Sequence, residues 1–272
     1  MLMSIQLFSA FKFKNYPQLI RELGEMGYDA VEGFFDLFDD PQSIRSALDN
    51  ANMSMPTIHM PLDMLENDLS NALNISRILG VNTLYAPWLE PEDRPTDSAG
   101  WSALASRLKQ VGKQVTDQGF GFGWHNHDFE FIRLEDGRTG MEILLEHAPE
   151  LEWEPDIAWI FRGGADPLPW IKKYGSRITA AHFKDVAPNW NQDQAKAWGQ
   201  DENTIDTRSE NDPAEYTGGW ANPGSGILDW KSYFDALKTQ TNIKVLAAEH
   251  DDTQNVHEFA RQAIATYRSF QA

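Results

Sequence analysis

Strand-like and helix-like periodicity alternates eight times along these 272 residues, and that count constrains the fold more than any other feature. Ile5-Gln6-Leu7-Phe8 reads as the first strand, followed by a helix face at Leu19, Ile20, Leu23 and Met26 that Gly27 stops. Asp29 to Phe34 is the second strand. Asp40-Pro41 then supplies a cap and a first-turn proline for a helix carrying Ile44, Ala47, Leu48 and Ala51. Met55 to Met60, Asn82 to Ala86, Gly119 into Trp124, Leu151 to Asp156, Arg177 to Phe183 and Ile243 to Ala248 are the remaining strands, each followed by a helical stripe. Eight such units predict an α/β protein, a single-domain (β/α)8 TIM barrel spanning 1–272. A doubly wound open sheet is the alternative. It wants a glycine-rich phosphate turn after the first strand, where this chain has Ser9-Ala10-Phe11-Lys12-Phe13.

One connection breaks the rhythm. A polar insertion rich in Asp, Asn, Gln and Trp runs from about 186 to 223, and Asn222-Pro-Gly-Ser-Gly226 closes it with turn chemistry. Long loops of this kind are often functional, here a lid over the catalytic face; a tolerated surface insertion is the other reading.

In such barrels chemistry is done at the C-terminal strand ends. Strand five runs into Trp124-His-Asn-His-Asp-Phe-Glu-Phe131, where His125 and His127 share parity and so one face. Three other strands end in Asp156, in His182-Phe-Lys-Asp185 and in Glu249-His-Asp251. Asp156, His182, Glu249 and one of the paired histidines form a set suited to a divalent ion. A single strand-end histidine is usually a hydrogen-bonded core residue. Here five of seven (His59, His125, His127, His182 and His250) gather beside Glu32, Asp156, Asp185, Glu249 and Asp251. Burying those carboxylates without counter-charge is prohibitive, and a divalent cation removes the cost.

Around that set lie candidates for the substrate. Lys184, on the parity of His182, can meet a substrate hydroxyl or carbonyl, or form a salt bridge with Asp185 or Asp156. His127 and Glu130 can touch substrate or stand behind the ligands, and Glu130 can equally be a solvated loop acid. His59 and Asp185 are further substrate-binding candidates. Trp124, Trp159, Trp190, Trp198 and Trp220 are available to stack on a sugar ring, although most tryptophans are core.

Charge and cysteine content exclude several classes. Net charge is −18, from 41 acids against 23 bases, a field that repels nucleic-acid backbones and anionic membranes but attracts divalent cations. With no cysteine, thiolate metal sites and thiol nucleophiles are gone, leaving His, Asp and Glu as ligands. The N-terminus lacks signal-peptide features, and no run reaches the length of a membrane span, so a cytoplasmic location is expected.

Several segments together resemble the sugar phosphate isomerase/epimerase superfamily with its xylose isomerase-like barrel. They are His125-Asn-His-Asp-Phe-Glu-Phe131, Asp156-Ile-Ala-Trp159 with Gly163-Gly-Ala-Asp-Pro167, Ala181-His-Phe-Lys-Asp185, Gly224-Ser-Gly-Ile-Leu-Asp-Trp230 and Glu249. The resemblance implies one divalent ion, manganese first, with zinc, magnesium or cobalt as alternatives. It also implies the ligands His125, Asp156, His182 and Glu249. Tagatose-type epimerases carry a glutamate at the strand-five position, where it also moves a proton. The histidine here resembles the inosose dehydratase branch instead.

The expected function is a metal-dependent isomerase or epimerase that abstracts a proton α to a carbonyl of a sugar or cyclic polyol, with Glu249, His127 and Lys184 as catalytic groups. A dehydratase or lyase acting on a keto-inositol or 3-keto-sugar is the alternative. An inactive sugar-binding barrel is the reading from another class. The expected partner is the small-molecule substrate, with homo-oligomerisation left open.

Overall fold

Runs such as Ala30-Val-Glu-Gly33 and Val245-Leu-Ala-Ala248 are buried along their whole length, so they must lie in a parallel sheet covered by helices. The computed structural model describes residues 1–191 and 219–271 and shows that sheet closed on itself. Its strands are β1 (Leu2–Ile5), β2 (Ala30–Gly33), β3 (Ser54–His59), β4 (Thr83–Ala86), β5 (Gly121–His125), β6 (Glu152–Glu154), β7 (Ala180–Phe183) and β10 (Val245–Ala248). Parallel ladders join β2 through β6 in order, and β7 to β10 to β1. Single parallel bridges, Gln6 to Glu32 and both Trp153 to Ile178 and Asp156 to His182, close the two remaining seams. The result is the (β/α)8 barrel.

Helices follow the strands as the apolar stripes require. Gly27 ends the helix Tyr16–Met26 in the left-handed region, at φ 94°, and Asp40 caps Pro41–Ala51 by accepting from the Ser43 amide. Two helical segments escape the periodicity reading, Leu62–Asn67 and Ile157–Arg162. The second begins directly at Asp156.

Strand one also differs from expectation. It occupies Leu2–Ile5, not Ile5 to Phe8, because the Gln6 side chain accepts from the Phe8 amide and turns Leu7–Ala10 into a 3-10 helix. That turn leaves Gln6 Nε2 free to bond Glu32 on the neighbouring strand, at 2.9 Å.

The insertion after β7 starts and ends at the C-terminal face. Short strands β8 (Asp185–Val186) and β9 (Trp220–Ala221) pair antiparallel at its base. The interior of the insertion, with Trp198, lies outside the described residues, and so does its expected role as a lid. Asp185 anchors the base. Its carboxylate accepts the amides of Val186, Gly224, Gly226 and Leu228 at 2.9–3.2 Å. A side chain at 226 would strike Asp185 itself and the Val186 carbonyl, so glycine is required there for steric reasons. Asp185, expected at the substrate, is committed to this clamp.

Candidate active site

Four histidine rings from three strand ends meet at the mouth of the barrel. His125 lies 4.3 Å from His182 and 4.5 Å from His59 between ring centroids, and His127 lies 5.2 Å from His125. The fifth strand-end histidine is elsewhere. His250 is turned behind the turn that follows β1, its amide donating to Ser9 Oγ and its ring against Phe259.

The groups expected to hold a metal come together. His125, Asp156, His182 and Glu249 each present a donor atom, all within 4.8 Å of one another, and all four residues are buried. Asp156 does two jobs. Its Oδ1 caps the helix Ile157–Arg162 by accepting from the Trp159 amide at 2.9 Å, while Oδ2 is buried without a hydrogen-bond partner. Nδ1 of His125 is likewise buried without a hydrogen-bond partner. Native interiors rarely leave such atoms orphaned, and Asp156 Oδ2, lying in a nest of acids and imidazoles, fits a cation.

His182 is pinned at both nitrogens. Nε2 lies 2.7 Å from Glu32 and Nδ1 lies 2.9 Å from Glu249. Burial lowers its pKa, but Glu249, Glu154 and Glu32 together raise it well above the ordinary value, so without an ion the ring is protonated near neutrality. Burial drives the neighbouring His125 the other way, well below the usual range, with the charge on His182 adding to it. His125 is therefore neutral, the form that ligates.

Lys184 is almost fully buried and makes salt bridges rather than standing free. Its ammonium lies 2.6 Å from Asp251, 3.2 Å from Glu249 and 3.6 Å from Asp156, and 4.3 Å from the centre of the Trp220 ring. Burial pushes Glu249 upward, but Lys184 and His182 overcome that and hold it well below the carboxylate range. Glu249 is thus an ionised carboxylate.

Aromatic rings surround His127 beside the nest. His127 sits between Trp88 and Trp159, at 4.9 and 5.2 Å, and Trp159 meets Trp220 edge-on at 4.6 Å. Nδ1 of His127 and Nε1 of Trp159 are buried without a hydrogen-bond partner. His59 is at the floor, its Nε2 2.9 Å from Glu154.

Two expectations change. Glu130, expected at the substrate, is fully buried, accepting from Trp124 Nε1 and the His127 amide at 2.9 Å each. It shapes the loop that carries His127, and its pKa is pushed up to about 8, chiefly by burial. Trp124, through that bond, is core and not a sugar platform. Conversely, Glu154 joins the site from outside the sequence candidates although it shares parity with Asp156 in Glu152-Trp-Glu-Pro-Asp156, and Asn126 ties β5 to β6 by accepting from Trp153 Nε1 and the Asp156 amide.

Residues 20–270 match the family described as xylose isomerase-like TIM barrel. The chain belongs to that family. Within it, the chain is 25% identical over 177 residues to an inosose dehydratase of Lacticaseibacillus casei, a match covering 63% of this chain and 55% of that protein. The chain thus matches little more than half of that relative. A sugar phosphate isomerase/epimerase from Parabacteroides distasonis ATCC 8503 superposes with a TM-score of 0.76 at 17% identity, covering 98% of this chain and 93% of that one. The IolI protein, solved with a bound zinc atom, superposes with a TM-score of 0.74 at 12% identity, covering 99% and 98%. At these identities the superpositions show a shared fold. Family members named by these matches include enzymes, among them a dehydratase and an isomerase/epimerase. Among the described residues no helix is long and apolar enough to cross a membrane.

Proposed function

We infer that the protein is a divalent-metal enzyme that removes a proton α to a carbonyl of a sugar or cyclic polyol. The observation that carries this reading is the orphaned Asp156 Oδ2, buried within the His125, His182 and Glu249 nest. Those four residues would hold the ion, and a bound ion supplies a Lewis acid that polarises a carbonyl oxygen.

The chain's own groups do the rest. His127 has a neutral ring, its pKa driven down by burial and then by Lys184, and its Nδ1 has no hydrogen-bond partner, so it can accept a proton. Lys184 keeps Glu249 charged and is a cation beside the nest that can stabilise a developing oxyanion. Trp88, Trp159 and Trp220 line the site as apolar bodies that exclude water, with Arg94, Arg162 and Lys184 against their faces.

Two outcomes follow proton removal: return of a proton, as in isomerases and epimerases, or loss of a β-hydroxyl, as in dehydratases. The strand-five histidine and the similarity to inosose dehydratase favour giving the second full weight. Incubating ketoses, keto-inositols and 3-keto-glycosides with protein in deuterated water distinguishes them. Deuterium at the α-carbon of an intact sugar marks the first, and a dehydrated enone product the second. A panel showing binding without either would leave only a sugar-binding barrel.

Metal binding should also depend on pH in a particular direction. An ion taking Nδ1 of His182 must expel a proton that Glu249 and Glu32 hold in place. Because the folded pKa is raised, apparent affinity should climb about tenfold per pH unit through neutrality and level off only above it. Chelator competition from pH 6 to 9 measures this (an order-of-magnitude window around neutrality). An affinity already flat at neutral pH would show that His182 carries no such proton.

A further inference from the structure

Beneath the nest just described lies another, made of His59, His125, Glu154 and His182, whose donor atoms again fall within 4.8 Å of one another. We propose that this floor is a second divalent-cation site, closed and of zinc type, with those four residues as its ligands.

The argument begins with distances. Oε2 of Glu154 lies 2.9 Å from His59 Nε2, 3.3 Å from His125 Nδ1 and 3.5 Å from His182 Nε2. Tetrahedral zinc with bonds of about 2.0–2.1 Å places neighbouring ligand atoms about 3.3 Å apart. The three measured edges bracket that value. Nδ1 of His125 is nine-tenths buried or more, lacks a hydrogen-bond partner and points at this centre.

Ligand identity is consistent. Three imidazoles and one carboxylate are ordinary ligands for zinc, and four protein ligands with no open position mark a structural site. The upper set takes Asp156 and Glu249 in place of His59 and Glu154. His182 faces both, offering Nε2 below and Nδ1 above. Filling both through one ring requires it to surrender its remaining proton to solvent, which bound divalent ions promote.

Charge points the same way. Glu32 and Glu154 lie against the His182 ring, and Asp156, Glu249 and Asp251 lie against the Lys184 ammonium, so five carboxylates meet one fixed cation among these described residues. In the absence of the lower ion, hydrogen bonds from His59 to Glu154 and from His182 to Glu32 hold the same side chains in place.

The test is metal stoichiometry and geometry on the full chain, using Zn²⁺ for elemental analysis and titration and Co²⁺ for absorption spectra. Wild type should bind two equivalents, and H59A and E154Q one each. Both variants should lose the intense visible bands of tetrahedral Co²⁺. Circular dichroism and thermal unfolding in chelator establish that each variant is folded, and E154Q, nearly isosteric, carries the test if H59A is not. D156N, which touches only the upper nest, should retain those bands. If H59A and E154Q both keep wild-type stoichiometry and spectra, the lower site does not exist. If wild type binds a single ion that H59A and E154Q lose and D156N retains, the lower site stands and the upper one, with the proposed function, falls.

Discussion

His125→Ala is expected to weaken divalent-metal binding at least about a hundredfold, whereas His127→Ala should keep the ion and lose turnover by about a hundred- to ten-thousandfold. The two rings are only 5.2 Å apart, yet they sit in different surroundings. His125 ends β5, its Nδ1 beside Glu154 and its donor atom within both nests. His127 lies beyond the strand in the loop braced by Glu130 and faces Trp88 and Trp159. Metal content and α-proton exchange measured on both variants separate the roles. Loss of metal in His127→Ala, with full occupancy in His125→Ala, would reverse them.

Asp185→Ala should cost about 3 kcal/mol of stability, since it strips a buried acceptor from several backbone amides at once. For a chain of this length that corresponds to a melting temperature lower by about 10 °C. The β8–β9 pair should loosen with it, because the same carboxylate ties both ends of the insertion to β7. Thermal unfolding and amide hydrogen exchange at Trp220 and Ala221 check this. A melting point within about 2 °C of wild type would show that other contacts hold the loop base.

How much of this was legible in the sequence follows from what each feature depends on. Strand parity and burial act locally, so the barrel and the convergence of His125, Asp156, His182 and Glu249 could be anticipated. Lys184 was visible as inward-facing, but its partners Asp251 and Glu249 come from another strand end. Glu154 had a local signal, the alternation in Glu152-Trp-Glu-Pro-Asp156, that was there to be read. Glu130 and Asp185 were not readable as clamps. Each is a polar residue near the site by chain position, and only the tertiary path of the loop decides that its carboxylate meets backbone amides. His250 shows the same limit, since the residue after Glu249 turns behind Ser9 by a contact 241 positions away in sequence.

The helix Ile157–Arg162 is a related case. Its cap, Asp156, reads in the sequence as a strand-end ligand; one oxygen holds the Trp159 amide and the other is left without a hydrogen-bond partner. Rigid attachment of that oxygen to a helix start holds it within the nest with little freedom, as a preorganised site requires.

The most direct test of the central claim is solvent deuterium exchange at the α-carbon of a keto-inositol or 3-keto-glycoside, followed by NMR, with chelator-stripped and metal-reloaded protein side by side. The account predicts exchange or elimination in the reloaded protein, its loss on stripping and its loss in D156N. Equal exchange with and without metal, or none under either condition across the whole panel, would contradict it.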